Sequence, residues 1–175
     1  QKLTDAFGQQ VVADNRSGAS GIIGTELVAR ATPDGHTLGV PISTHAVNPA
    51  LYARLPYDSV KDFALVTVAA SGLYALVVHP SVPVTTVQEL IAYGRTNPRK
   101  LNASVAGLAT PGHLGLEQFK NITRADVTSV AYKGSGPAVT DLVAGQTQVM
   151  FASMPSVQPF IRAGRLRALA VCSPK

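Results

Sequence analysis

The sequence has little of what marks a disulfide-stapled protein, a cysteine metal site or a membrane span. Its 175 residues include one cysteine, Cys172, and no tryptophan, and aromatic residues make up only 6%. One cysteine excludes an internal disulfide and any multi-cysteine metal site. No apolar run approaches the ~18 residues that a transmembrane helix needs. With 46% apolar and 14% charged residues, the chain is instead typical of a globular protein with a well-filled core.

Charge is sparse and scattered along the chain. The formal net charge is +5, and the densest basic groups run from Arg95 to Lys100 and from Arg162 to Arg167. Neither group is interleaved with aromatic side chains that could stack on bases, so we do not expect nucleic-acid binding. A solvated basic surface of this kind favours anionic ligands by electrostatic steering.

The stretch from Leu101 to Ile122 predicts a strand, a glycine-containing loop and a helix. Leu101 to Val105 has the short alternating pattern of a strand. Thr110 is then the N-cap of the helix and Pro111 its first residue. A helix opened in this way directs free backbone N–H groups and the positive end of its dipole at whatever lies above the strand end. These features predict an anion site.

A second unit of the same design follows at once. Val127 to Tyr132 predicts a strand, Lys133 to Pro137 a loop, and Val139, Leu142 and Val143 the buried stripe of a helix. Two such helix starts side by side form a pocket for a carboxylate or a phosphate. The alternative is that both joints only turn the chain, as many strand–glycine–helix joints in α/β proteins do.

The remaining second half continues this rhythm of strands and helices. Strands are predicted at Gln148 to Ala152 and at Leu166 to Cys172. A helix is predicted to begin with a capping box, formed either by Thr85 and Gln88 or by Thr86 and Glu89. Units of this length predict a parallel sheet with crossover helices. The apolar helix stripes are then core, namely Val87, Leu90 and Ile91 in one helix and Val157, Phe160 and Ile161 in another.

The first half predicts four strands, with a helix between the first two. The predicted strands are Gln10 to Asn15, Thr37 to Ile42, Ala64 to Ala70 and Tyr74 to His79. Between the first two strands, Gly18, Gly21 and Gly24 recur at three-residue spacing, which favours close helix packing over a dinucleotide site because the spacing is not G-x-G-x-x-G.

Polar residues gather directly after one of these strands. Ser43, Thr44 and His45 follow the strand that ends at Ile42, and Thr44 is the predicted N-cap of a short helix. In open α/β sheets ligands bind at such strand ends. His45 has no cysteine, glutamate or second histidine at ligand spacing, so we expect no metal site there. A capped helix start without a ligand is the alternative.

Both ends of the chain fall within predicted elements. Lys2 to Phe7 predicts the last turns of a helix closed by Gly8, and the strand ending at Cys172 leads into only three further residues. We therefore expect an incomplete part of a longer protein. Exposed strand edges in such a chain predict self-association, by exchange of elements between copies.

Six stretches of distinctive sequence occur in order along nearly the whole chain, at Asp14 to Gly21, Pro33 to Leu38, Leu55 to Phe63, Val77 to Pro80, Gly107 to Leu114 and Ala131 to Pro137. Together they resemble the Bug or TctC family, the extracytoplasmic solute receptors of tripartite tricarboxylate transporters. The resemblance implies an α/β fold with two lobes, a periplasmic binding protein of type II topology.

The family also implies a division of the chain and a function. Residues 1–78 would form part of the first lobe, 79–168 the second lobe and 169–175 the start of the crossover back. The implied ligand is a small organic anion carrying one, two or three carboxylates, and the implied partners are membrane transporter subunits. No cofactor is implied. The implied location is periplasmic, although no signal peptide stands in the chain as printed.

The same resemblance carries over a set of ligand-binding residues. From the first lobe these would be Ser43, Thr44 and His45; from the second, Gly107, Ala109, Thr110, His113, Lys133, Gly134, Ser135 and Ser153. Two positions depart from the family pattern. Ala109 stands where glycine is common, and Ala152 with Ser153 where Asp-Asn is frequent. The second departure predicts altered specificity, towards a ligand without an amino group.

Two other function classes remain open on the residues alone. A hydroxyl beside a histidine in a cleft could serve hydrolysis, but the sequence has no G-x-S-x-G elbow and no acid placed by spacing. We therefore do not expect an enzyme. The second alternative is a small-molecule-sensing domain of a regulatory protein, which would need a DNA-binding or signalling module.

Overall fold

The computed structural model describes residues 2–173, so Pro174 and Lys175 of the predicted crossover lie outside it. The helices are α1 Lys2–Phe7, α2 Ile22–Ala29, α3 Thr44–Leu51, α4 Val87–Thr96, α5 Pro111–Thr123, α6 Ser135–Val143 and α7 Met154–Arg162. The strands are β1 Tyr74–Val78, β2 Asn102–Val105, β3 Thr128–Ala131, β4 Val149–Ser153 and β5 Arg167–Cys172. A short 3-10 helix covers Ala19–Gly21.

One five-stranded sheet organises the second half, in the order β3-β2-β4-β1-β5. The pairs β2–β3 and β2–β4 are parallel, as predicted for strands joined by crossover helices. Strand β1 runs antiparallel to both β4 and β5, with Val78 opposite Val149 on one side and Arg167 on the other. The sheet is therefore mixed, and its other four strands point the same way.

Helices cover both faces of this sheet, because the strands are apolar on both sides. Leu76 and Val78 of β1 face a core cluster with Leu90 of α4 and Leu116 of α5. The alternate residues of β1 face a second cluster that contains the buried residues of α6 and α7, including Leu142. The predicted stripes of α6 and α7 contribute to the second cluster in full, which confirms them as core. Of the α4 stripe, Val87 and Leu90 pack in the first cluster, whereas Ile91 belongs to neither.

Three of the strands predicted in the first half are wrong. Gln10 to Asn15, Thr37 to Ile42 and Ala64 to Ala70 form no strand pairing within residues 2–173. Their apolar side chains are exposed, with Leu65 88% and Val40 79% accessible. An alternating pattern becomes a strand only when a neighbouring strand satisfies its backbone, and in the described chain these segments have no such neighbour.

The three spaced glycines do not form one helical stripe, which corrects the prediction. Gly18 and Gly21 precede α2 and have φ values of +127° and +87°. Only Gly24 lies within the helix, where an added Cβ would sit 3.3 Å from the carbonyl oxygen of Arg16. The glycines therefore serve the turn into α2 more than its packing.

Strand pairing crosses both predicted lobe boundaries. The division at residue 78 separates β1 from the rest of the sheet, and the division at residue 168 falls within β5. Both strands pair with each other and belong to the same sheet. The assignment of residues 1–78, 79–168 and 169–175 to lobes stays a prediction.

Candidate functional site

Three helices begin at one edge of the sheet. Helices α5, α6 and α7 follow β2, β3 and β4, which are neighbours and point the same way. Their first turns therefore gather above three adjacent strand ends. Each helix start carries unpaired N–H groups and the positive end of a dipole, so this edge suits an anion.

The loop between β2 and α5 is held by Thr110, the N-cap of α5. Its hydroxyl donates to the carbonyl oxygen of Gly107 at 2.8 Å and accepts from the N–H of His113 at 3.4 Å. Thr110 is 9% exposed, and Pro111 follows as the first helical residue. The predicted cap is confirmed.

Ala109 adopts a conformation that alanine rarely takes, with φ at +61°. This conformation costs about 1–3 kcal/mol and persists only where surrounding contacts hold it. The Ala109 N–H donates to Nδ1 of His113 at 3.1 Å. The turn at Ala109 is therefore strained and held by His113.

Glu117 lies one helical turn beyond His113 and joins a side-chain cluster. Its carboxylate accepts from Ser129 Oγ at 2.7 Å and from Lys120 Nζ at 2.9 and 3.0 Å. The hydrogen bond from Ser129 and then that from Lys120 hold the pKa of Glu117 below its usual value. The carboxylate is therefore ionised at neutral pH.

The loop between β3 and α6 leaves its helix start open. Gly134 is the N-cap, at φ +112°, and its N–H donates to the carbonyl oxygen of Ala106 at 2.9 Å. The helix begins at Ser135, inside the predicted loop, and includes Pro137, which a first turn tolerates. A Cβ added at Gly134 or Gly136 would meet no atom within 4 Å. Space for a ligand therefore lies beside this helix start.

Tyr132 anchors the same loop. Its hydroxyl donates to Asp141 Oδ2 at 2.7 Å, and this bond raises the pKa of Tyr132 to about 12. Lys133, the next residue, is exposed and can contribute positive charge at the edge.

Ser153 ends β4 and is the N-cap of α7, but its hydroxyl does not cap the helix. It donates instead to Ser156 Oγ at 3.0 Å, and Ser156 donates to the carbonyl oxygen of Ser153 at 2.7 Å. Ser153 therefore lies at the same edge as the two loops, with its hydroxyl in a local network.

The predicted first-lobe residues are used mainly in packing. Ser43, not Thr44, is the N-cap of α3, and Thr44 is only 2% exposed. His45 stacks on Tyr57 at 5.9 Å and meets the edge of Phe63 at 5.1 Å. These contacts place His45 in an aromatic cluster.

A residue that the sequence analysis missed joins the first half to the site. Ser20 Oγ donates to the carbonyl oxygen of Leu108 at 2.8 Å, across 88 positions of sequence. Ser20 itself is strained, at φ +54° and ψ +34°, and the buried Asn48 donates to its carbonyl oxygen at 3.3 Å. The G-A-S-G turn was visible in the sequence, but only its tertiary contact reveals this role.

A largely apolar concave surface lies between α5 and the sheet. This groove has a volume of about 430 Å³ and is lined by Phe119 and Ile122 of α5 and by Phe151 of β4. It lacks the array of backbone N–H groups found at the helix starts, so the sheet edge remains the better candidate site.

The sequence matches the tripartite tricarboxylate transporter family receptors over residues 1–175. The chain belongs to this family. Among curated relatives, the chain is 41% identical to a UPF0065 protein from the tcbD-tcbE intergenic region of Pseudomonas sp. strain P51, over 99% of its own length. It is 37% identical to protein BugT of Bordetella pertussis, over 98% of its own length. The chain spans about half of each relative, 52% and 53%.

Solved structures agree with this assignment. The chain superposes on R. palustris Rpa4515 with adipate at a TM-score of 0.93 and 41% identity, over 99% of its own length and 58% of the other chain. MatC from Rhodopseudomonas palustris, with bound malate, gives a TM-score of 0.89 at 28% identity, over 99% and 60%. The predicted fold of a periplasmic binding protein is thereby confirmed.

The described residues 2–173 contain no helix long and apolar enough to cross a bilayer. Over the same residues, no three or more metal-binding side chains come together.

Proposed function

We propose that the protein is a solute-binding receptor that holds a small organic carboxylate at the carboxyl edge of its sheet. The observation that carries this proposal is the meeting of three helix starts above β2, β3 and β4. We further propose that it works in the periplasm, delivers its ligand to membrane subunits of a transporter and catalyses no reaction. Relatives of known structure that hold adipate and malate support the ligand class.

In this proposal, the ligand carboxylate binds at the start of α6. Glycines on both sides of Ser135 leave open space there, and the N-cap has no side chain that could occupy the free N–H groups. The Ser135 hydroxyl and the Lys133 ammonium supply a further donor and a positive charge. Hydrogen bonds from neutral and charged donors to a carboxylate are about twice as strong as those between neutral groups.

The first-lobe residues complete the cleft in this proposal. Ser43 is exposed at the start of α3, while Thr44 and His45 shape the wall behind it. The hydrogen bond from Ser20 to the carbonyl oxygen of Leu108 connects this side of the cleft to the β2–α5 loop. A cleft between two such surfaces closes on its ligand.

Hydrolysis is less well supported by the geometry. His113, the histidine nearest the hydroxyl of Thr110, meets Ala109 with one ring nitrogen and faces Glu117 with the other. A general base needs a free nitrogen within reach of the nucleophile's proton. The arrangement therefore favours binding.

Ligand binding should be visible as thermal stabilisation. Adipate, malate and succinate present carboxylates to the helix starts, so at least one should raise the melting temperature. At ~100 times its dissociation constant a ligand adds about 2.7 kcal/mol, and this corresponds to roughly 5–10 °C for a domain of this size. Differential scanning fluorimetry at constant pH and ionic strength measures it.

The matched controls are the diamides of the same acids and neutral sugars. They keep the length or the hydroxyl groups but carry no negative charge. Stabilisation by the diamides or sugars, with none by the acids, would contradict a carboxylate site.

Thr110→Ala should lower both stability and affinity. The N-cap contributes about 1 kcal/mol to stability, and a relaxed loop should weaken carboxylate binding roughly tenfold. Thr86→Ala is the control, because Thr86 caps α4 beside Glu89 with the same type of bond. Helix α4 begins near Arg167 at the start of β5, at the opposite edge of the sheet.

Thermal unfolding and titration calorimetry with adipate compare the two variants. Thr86→Ala should lose stability and keep its affinity. If the two variants lose equal stability and neither changes affinity, the β2–α5 unit is scaffold and the ligand binds elsewhere.

A further inference from the structure

One ring nitrogen of His113 is hydrogen-bonded inside the protein, and the other faces a carboxylate. Nδ1 accepts from the backbone N–H of Ala109 at 3.1 Å, so in the neutral ring the proton lies on Nε2. Nε2 is 3.8 Å from Glu117 Oε1, and the His113 side chain is only 20% exposed. A largely buried ring that faces protein groups on both sides is poorly placed to contact a ligand.

The carboxylate of Glu117 keeps this ring in one orientation. Ser129 donates to the same oxygen that faces Nε2, while Lys120 bridges both oxygens. Ser129 belongs to β3 and Glu117 to α5, so the cluster ties the helix to the neighbouring strand. An anion beside Nε2 favours the tautomer whose proton lies on that nitrogen, and this leaves Nδ1 free to accept.

The group that Nδ1 holds is the strained part of the site. Ala109 has φ at +61°, a conformation that persists only where surrounding contacts fix it. Two further hydrogen bonds fix the same turn: the Thr110 hydroxyl donates to the carbonyl oxygen of Gly107, and the Ser20 hydroxyl donates to that of Leu108. His113 therefore supplies the contact that fixes Ala109 itself.

We propose that His113 is a positioning residue that clamps the β2–α5 loop before ligand arrives, and that it does not contact the ligand. The role in affinity rests on the proposed carboxylate function. A loop already held in its binding geometry loses less conformational freedom when the ligand binds.

Three substitutions separate a clamp from a ligand contact. The side-chain oxygen of asparagine can take the place of Nδ1, whereas that of glutamine reaches the place of Nε2, and leucine replaces neither. With adipate as the probe in titration calorimetry, His113→Gln and His113→Leu should bind roughly fivefold to tenfold more weakly. His113→Asn should stay within about twofold of the original protein. Retention by the glutamine variant with loss by the asparagine variant would overturn the clamp.

A measurement without ligand tests the clamp itself. Hydrogen exchange at the Ala109 amide, followed by NMR, should be slow in the original protein and in His113→Asn, and faster in His113→Gln and His113→Leu. If no carboxylate binds any of the proteins, the proposed function fails while this exchange pattern still decides the clamp. Equal exchange in all four proteins would overturn it.

His79→Leu is the matched control. His79 follows β1 at the opposite edge, where Nδ1 is 2.8 Å from Ser81 Oγ and a Cβ added at Gly145 would lie 3.1 Å from the ring. This variant should lower the melting temperature without changing adipate affinity or exchange at Ala109. An equal effect of His79→Leu on both would show general loosening and overturn the assignment.

Discussion

Gly112→Ala is expected to destabilise the protein by about 3 kcal/mol, in the upper range for overpacked cores. A Cβ at Gly112 would fall inside van der Waals distance of the carbonyl oxygen of Phe151, with Tyr74 close behind. Phe151 lies in β4, which is paired on both sides, so the backbone cannot move aside. The melting temperature should fall by roughly 6–12 °C.

Gly136→Ala is the matched control for this change. Gly136 is the second residue of α6, as Gly112 is of α5, but a Cβ there would meet no atom within 4 Å. Alanine restricts the unfolded chain, so this variant should gain about 0.4–1 kcal/mol. Equal losses in the two variants would contradict the proposed clash with β4.

Leu142→Ala should cost about 2–5 kcal/mol, because the side chain is completely buried and its removal leaves a cavity. Leu142 belongs to the cluster formed by α6, α7 and one face of β1 and β4. Loss of this contact loosens the helix whose first turn forms the candidate site. Urea unfolding should show a lower midpoint with an unchanged slope.

Leu114→Ala is the control, because it removes the same side-chain atoms from another helical leucine. Leu114 lies in α5 and is 44% exposed, whereas Leu142 is completely buried. Truncation of Leu114 should change stability by no more than about 0.5 kcal/mol. A loss as large as that of Leu142→Ala would mean that Leu114 is covered in solution.

The second half could be predicted from sequence because its signals are local and agree with its packing. Thr110 followed by Pro111 determines a helix start, and Thr86 with Glu89 forms a capping box with both bonds present. The parallel pairing of β2 and β3 follows from the short crossover between them. The reversed direction of β1 could not be predicted, since the connection from His79 to Leu101 has the length of an ordinary crossover.

The three wrong strands of the first half could not be recognised as such, because an alternating pattern depends on partners that lie outside the segment itself. Val66 and Val68 alternate as in a strand, but no described strand lies beside them. A pattern states which side chains could be buried, and the tertiary structure decides whether they are.

The features of the candidate site also fall into two groups, those that residue order predicts and those that only the tertiary structure reveals. The site's helix starts and glycine loops follow from residue order, whereas the contact of Ser20 depends on how two loops meet. Ser20 reaches a carbonyl oxygen 88 positions away, and no local pattern encodes such a contact. The contacts of His113 are four residues away in sequence, but the one with Ala109 depends on a left-handed turn that the alanine does not indicate.

The position of β1 in the sheet has a consequence for the order in which the protein folds. Of the five strands in this sheet, β1 is synthesised first, whereas its two neighbours, β4 and β5, are synthesised last. The earlier pairing of β2 with β3 can form while β1 still lacks a partner. Such long-range pairing slows folding because the intervening chain must be ordered first. Until β4 is synthesised, the apolar run Tyr74–Val78 therefore depends on other protection from aggregation.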